Sequence, residues 1–63
     1  MTLFTVKYKA TALDGNYREY DADGERDVLA EDAVHAADIA TEELRTGGFG
    51  HIIIDRVYEK ETS

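Results

Sequence analysis

The chain has 63 residues, with 14 Asp and Glu against 7 Lys and Arg, no cysteine and a single serine, Ser63. This length fits one small domain, and the lack of cysteine excludes disulfides and thiolate chemistry. The net charge of −7 disfavours binding to nucleic acid, because it repels phosphate backbones. We expect a cytoplasmic protein, because small secreted domains usually carry disulfides. No apolar run approaches the ~20 residues that span a membrane.

The first predicted strand covers residues 3–13, where apolar and polar side chains alternate. Phe4, Val6, Tyr8, Ala10 and Ala12 form the apolar set. A period of two with one polar face is typical of a half-buried strand. Residues 14–16, Asp-Gly-Asn, predict a hairpin turn. A weaker second strand is expected at residues 17–22, and Asp23-Gly24 is expected to end it.

The predicted helix covers residues 27–46, where the apolar period changes to 3.6 residues. Asp27 is the predicted N-cap, since a carboxylate there accepts hydrogen bonds from free backbone N–H groups. Gly47 and Gly48 can supply the left-handed residue that ends a helix. The apolar stripe expected to face the sheet consists of Leu29, Ala33, Ala36, Ala37, Ala40 and Leu44.

The last predicted strand covers residues 51–59. Ile52, Ile54 and Val57 share the core side only if a bulge lies near Asp55-Arg56, and residues 59–63 are expected to fray. The fold class is therefore α+β, a β-β-α-β chain forming a three-stranded antiparallel sheet of order 2-1-3 with the helix on one face. The opposite, polar face is expected to carry Thr5, Lys7, Lys9, Thr11, Glu19, Asp21 and Ile53.

The residues needed for nucleophilic catalysis are lacking, so we expect neither an enzyme nor a bound cofactor. Glu31, His35, Asp38 and Glu42 lie on one side of the predicted helix and could ligate a divalent metal. An exposed acidic helix face explains them as well, because only one nitrogen donor is present. A metal-binding regulatory domain therefore stays as one alternative.

A second apolar pair, Val28 and Ile39, is expected on this acidic side of the helix, away from the alanine stripe. Such a pair can form the centre of a protein contact, although two exposed apolar residues also occur without any function. We take Val28, Glu31, His35, Asp38, Ile39 and Glu42 as the candidate partner-binding residues.

The order of elements, the acidic helix and the residues Gly48-Phe49 and Arg56-Val57 resemble the small RNA-polymerase inhibitor of T-odd phages and similar small phage β-β-α-β proteins. The resemblance implies a phage-encoded protein that binds and inhibits a host protein. It also implies a contact through Arg56, because the inhibitor family uses arginines of its last strand. In this sequence two extra residues separate the matching pairs, and the second arginine of the family falls on Tyr58.

The sequence thus predicts a small acidic protein-interaction module that binds a basic protein surface. The alternative is a homo-oligomeric assembly protein, with a homodimer through the last strand or the outer helix face. Short domains without disulfides or metals often gain stability by association.

Overall fold

A computed structural model describes residues 1–60, so residues 61–63 of the end predicted to fray lie outside the described residues. In chain order the described elements are β1 (Thr2–Leu13), β2 (Glu19–Asp21), β3 (Gly24–Ala30), α1 (Ala33–Thr46) and β4 (Gly50–Glu59). The helix packs on one face of an antiparallel sheet. The predicted α+β class is confirmed.

Strand β1 is the centre of the sheet and pairs with β2 and β3 on one side and with β4 on the other. In every partner pair that β1 forms with β2 or β3, the two residue numbers add up to 32, as in Thr11 with Asp21 and Thr2 with Ala30. The strands β2 and β3 are therefore one arm of a long hairpin, interrupted only at residues 22–23. The predicted order 2-1-3 is confirmed, with β4 as the third strand.

The boundary between strand and helix was predicted wrongly. Residues 27–30 form the end of β3 and not the first turn of the helix, and the break at Asp23-Gly24 is local. A second strand of six residues would leave half of the 12-residue β1 without partners on that edge. Unpaired backbone groups beside a core are costly, so the arm continues to Ala30.

The helix begins after Asp32, which replaces the predicted Asp27 as N-cap. The Asp32 carboxylate accepts a hydrogen bond from the backbone N–H of His35 at 2.8 Å. At the other end Gly48 has a φ of 92°, the left-handed conformation predicted for this glycine pair.

The predicted bulge in the last strand is confirmed. Lys7 pairs with Arg56 and Tyr8 with Ile54, so that Asp55 is the extra residue. A second register shift lies between Lys9 and Thr11. Because the bulge shifts the alternation of inward and outward side chains by one residue, Ile54 and Val57 both pack against the core.

The core is small. It contains Phe4, Val6 and Val28 from the sheet and Ala36, Ala40 and Leu44 from the helix, and within residues 1–60 only Val6 and Leu44 are large side chains that are fully buried. Of the predicted helix stripe, Leu29 instead lies on β3 with 56% of its surface exposed, and Ala33 is exposed. The molecule measures 42 × 19 × 15 Å, which corresponds to one sheet layer and one helix layer.

Candidate interaction surfaces

The structure separates the predicted partner-binding residues into three places. Glu31, His35, Asp38 and Glu42 are exposed on or just before α1, as expected. Val28 is only 5% exposed, because it points from β3 into the core, so it cannot be a contact centre. Ile39 is half-buried and packs against the core. The predicted apolar pair is therefore wrong: Val28 was misplaced together with the start of the helix, and Ile39 lies on the partly buried edge of α1.

Arg56 lies on the other side of the molecule. It pairs with Lys7 in the sheet, and their side chains point away from the helix. A single flat partner surface cannot contact Arg56 and the exposed acids of α1 together. The predicted partner-binding residues therefore do not form one site, because Arg56 lies apart from the exposed acids of α1.

We call the exposed side of α1 the helix face, formed by Glu31, Val34, His35, Asp38, Glu42 and Arg45. Val34 is 73% exposed and was not among the predicted site residues. Glu42 pairs with Arg45 at 3.1 Å, whereas neither Glu31 nor Asp38 forms an ion pair with a described residue. The helix face thus carries three carboxylates against one guanidinium.

The arrangement gives no support to a metal site at His35. Within residues 1–60, no three His, Cys, Asp or Glu side chains come together in a way that could hold a metal ion. The backbone N–H of Glu31 donates to Nδ1 of His35 at 3.4 Å, which fixes the imidazole beside the N-terminus of α1.

The sheet face opposite the helix has no described element covering it, and we call it the outer sheet face. The predicted polar residues lie here, in three columns that follow the strands. The β2–β3 column carries Glu19, Asp21, Glu25, Asp27 and Leu29; the β1 column carries Leu3, Thr5, Lys7, Lys9 and Thr11; the β4 column carries Ile53, Arg56, Tyr58 and Lys60.

Two ion pairs connect these columns. Lys60 Nζ contacts Asp27 Oδ2 at 2.6 Å, and Lys7 Nζ lies 4.0 Å from Glu25 Oε1. The Thr5 hydroxyl also donates to Asp27 at 2.9 Å. The hydrogen bond from Lys60 and that from Thr5 lower the pKa of the Asp27 carboxyl, and the bond to Asp27 raises the pKa of Lys60. These pairs hold the side chains flat along the sheet.

The hairpin end of the molecule carries two non-glycine residues with positive φ. Tyr17 has a φ of 60° and is 84% exposed, and His51 has a φ of 49°. His51 Nε2 lies 3.9 Å from Glu19 Oε1. A shallow cleft beside them is lined by residues 11–13 of β1 and 48–51 of the connection into β4.

The sequence contained signals for some of the missed residues. Val34 is in phase with Asp38 on the outer side with either start of the helix, because residues four apart share a helix face. Leu29 could be placed beside Leu3 only once the continuous hairpin register was known.

The chain matches no protein-family model, no curated protein and no solved structure. The helix of the described part is too short and too polar to cross a membrane. The function must therefore be argued from the surfaces themselves.

Proposed function

We propose that this chain is a small acidic protein-interaction module, and that its helix face binds a basic surface of a partner protein. The observation that carries the proposal is the uneven distribution of charge. Four of the seven Lys and Arg residues lie on the outer sheet face: Lys7, Lys9, Arg56 and Lys60. Acids also lie there, so both signs of charge are mixed on that face, whereas the helix face carries Glu31, Asp38 and Glu42 against Arg45 alone.

Charge of one sign on a compact surface steers an oppositely charged partner and raises its rate of association. Glu31 and Asp38 are free to pair with partner cations, since no described residue neutralises them. Val34 is exposed beside Asp38. It supplies apolar surface that is removed from water when a partner binds. Together they place two carboxylates beside one exposed apolar side chain, and Val34 replaces the predicted Val28 and Ile39 pair.

The test is capture of a partner from lysate of the source organism by the immobilised chain, read by mass spectrometry. We expect the wild type to retain a basic protein, and Asp38→Lys to lose it. The matched control is Asp55→Lys, which makes the same charge change at the exposed bulge of β4, outside the helix face. This control should retain the partner.

The salt dependence gives a second readout. Exposed charges are screened beyond about 10 Å at 0.1 M salt, so association with the captured protein should slow as salt rises. A partner held equally by wild type and Asp38→Lys, or one whose association is insensitive to salt, would contradict the proposal.

A further inference from the structure

The outer sheet face is a second surface, independent of the helix face. Its described residues include the exposed apolar side chains Leu29, Ile53 and Tyr58. The molecule below it is thin and has a small core, the situation in which short domains gain stability by association. The question is therefore what covers this face.

The charges of the face answer it, because they nearly balance. Glu19, Asp21, Asp23, Glu25 and Asp27 stand against Lys7, Lys9, Arg56 and Lys60. Two copies that each carry a net charge of −7 repel one another through their helix faces. On the outer sheet face this repulsion is weak, so a second copy can approach there.

The charges of the outer sheet face are also sorted by sign into columns. The acids form the β2–β3 column and the bases lie on β1 and β4, as described above. Two sheets can pack face to face about 10 Å apart. If the two-fold axis runs parallel to β1, the acidic column of one copy lies over the β4 column of the other. An axis across the strands would place β3 over β3, with acid against acid.

We propose that a second copy of this chain covers the outer sheet face, related by a two-fold axis parallel to β1, so that Glu25 of each copy pairs with Arg56 of the other. Glu25, Lys7 and Arg56 form one row across the sheet. Lys7 lies nearest the axis, but its ammonium is turned towards Glu25 of its own chain. The Lys7 ammonium groups of the two copies are therefore drawn away from the axis, and Lys9 of the same column is the base that remains beside it.

The area of the outer sheet face sets the affinity expected for the dimer. Three strands spaced by about 4.8 Å, and about 30 Å of strand length, make a small face. Interfaces of such limited area fall at the low end of specific association, so we expect a dissociation constant on the order of micromolar.

The proposal is tested by sedimentation equilibrium of the purified full chain. The wild type should sediment as a dimer at concentrations well above micromolar, and Glu25→Lys and Arg56→Glu should each be monomeric there. Symmetry makes the decisive prediction: an equimolar mixture of the two variants should dimerise, since Lys at 25 faces Glu at 56 in one contact and Glu25 faces Arg56 in the other. The double variant in one chain should dimerise for the same reason.

Each outcome decides a separate part of the proposal. A wild type that stays monomeric overturns it, dimeric single variants overturn the choice of face, and a monomeric mixture overturns the axis. Asp38→Lys on the helix face is the control and should remain dimeric, so that loss of partner capture and loss of the dimer stay distinguishable.

Circular dichroism checks that each variant is folded. If a charge reversal unfolds the chain, Ile53→Ser, at a side chain that is 60% exposed, should give the monomer, and a dimeric Ile53→Ser would overturn the proposal.

Discussion

At the scale of single residues, Tyr17 stands out because its backbone and its side chain both lack a structural reason. The turn is held by Asp14, whose carboxylate accepts hydrogen bonds from the backbone N–H groups of Asn16 and Arg18 at 2.8 and 2.9 Å. Tyr17 follows with a positive φ, a conformation that costs a residue with a Cβ about 1 kcal/mol or more. Its ring is largely in solvent, so no packing offsets that cost.

We therefore expect Tyr17→Gly to raise the free energy of unfolding by roughly 0.5–1 kcal/mol, since glycine adopts positive φ without a steric penalty. Urea denaturation measures the change. The control is Tyr20→Gly, the same substitution in the extended backbone of β2, which should lower stability. A Tyr17→Gly variant less stable than wild type would mean that the tyrosine side chain makes a stabilising contact.

At the scale of elements, the sequence predicted the sheet order and the single helix but missed β3, because it ended the second strand at residue 22 and assigned residues 27–30 to the helix. The alternation in β1, the turn at residues 14–16 and the bulge at Asp55 are local patterns, and local patterns are readable from sequence. The continuation of the second arm to Ala30 is set by pairing with β1, a contact between distant residues. Asp27 and Asp32 are both good N-caps by residue type, so only the length of β1 decides between them.

The same boundary decided how much of the candidate site could be predicted. The exposed acids Asp38 and Glu42 were found because residues 33–42 keep their helical phase with either start, and Glu31 lies just before α1. Val28 was misassigned because it changes from helix to strand. The outer sheet face was partly expected from alternation, but its column order required the register of all the strands.

Asp32→Ala tests the helix boundary directly. Loss of an N-cap carboxylate typically costs about 1 kcal/mol, so this variant should unfold at lower urea concentration. Asp38→Ala, an exposed site within α1, is the control and should change stability by less than about 0.5 kcal/mol. Equal effects of the two substitutions would contradict the cap at Asp32.

At the scale of the whole molecule, the two surfaces are compatible. A dimer through the outer sheet faces places the helices on its two outer sides, with both sheets between them. The helix faces then point in opposite directions. Such a dimer would bridge two partner molecules and could not hold one flat surface with both helices.

The ion pair between Asp27 and Lys60 joins the two outer columns of the sheet across Thr5, and it makes the stability of the molecule depend on pH. The pKa of Asp27 is below its ordinary value of 3.8 in the folded chain, so its contribution is present above that value and is lost as pH falls through the folded pKa. The pKa of Lys60 is above its ordinary value of 10.5, so its contribution is present below 10.5 and is lost as pH rises through the folded pKa.

The pair should therefore contribute over a plateau between these limits. We expect Asp27→Asn to be less stable than wild type near neutral pH, with the difference shrinking as pH falls below about 3.8. Urea midpoints of both proteins between pH 2 and 7 measure this. The control is Asp21→Asn, at a carboxylate of the same column that no ion pair joins to another described residue. This variant should lose stability at acid pH as the wild type does. A constant difference between wild type and Asp27→Asn down to pH 2 would mean that Asp27 acts through its shape and not its charge.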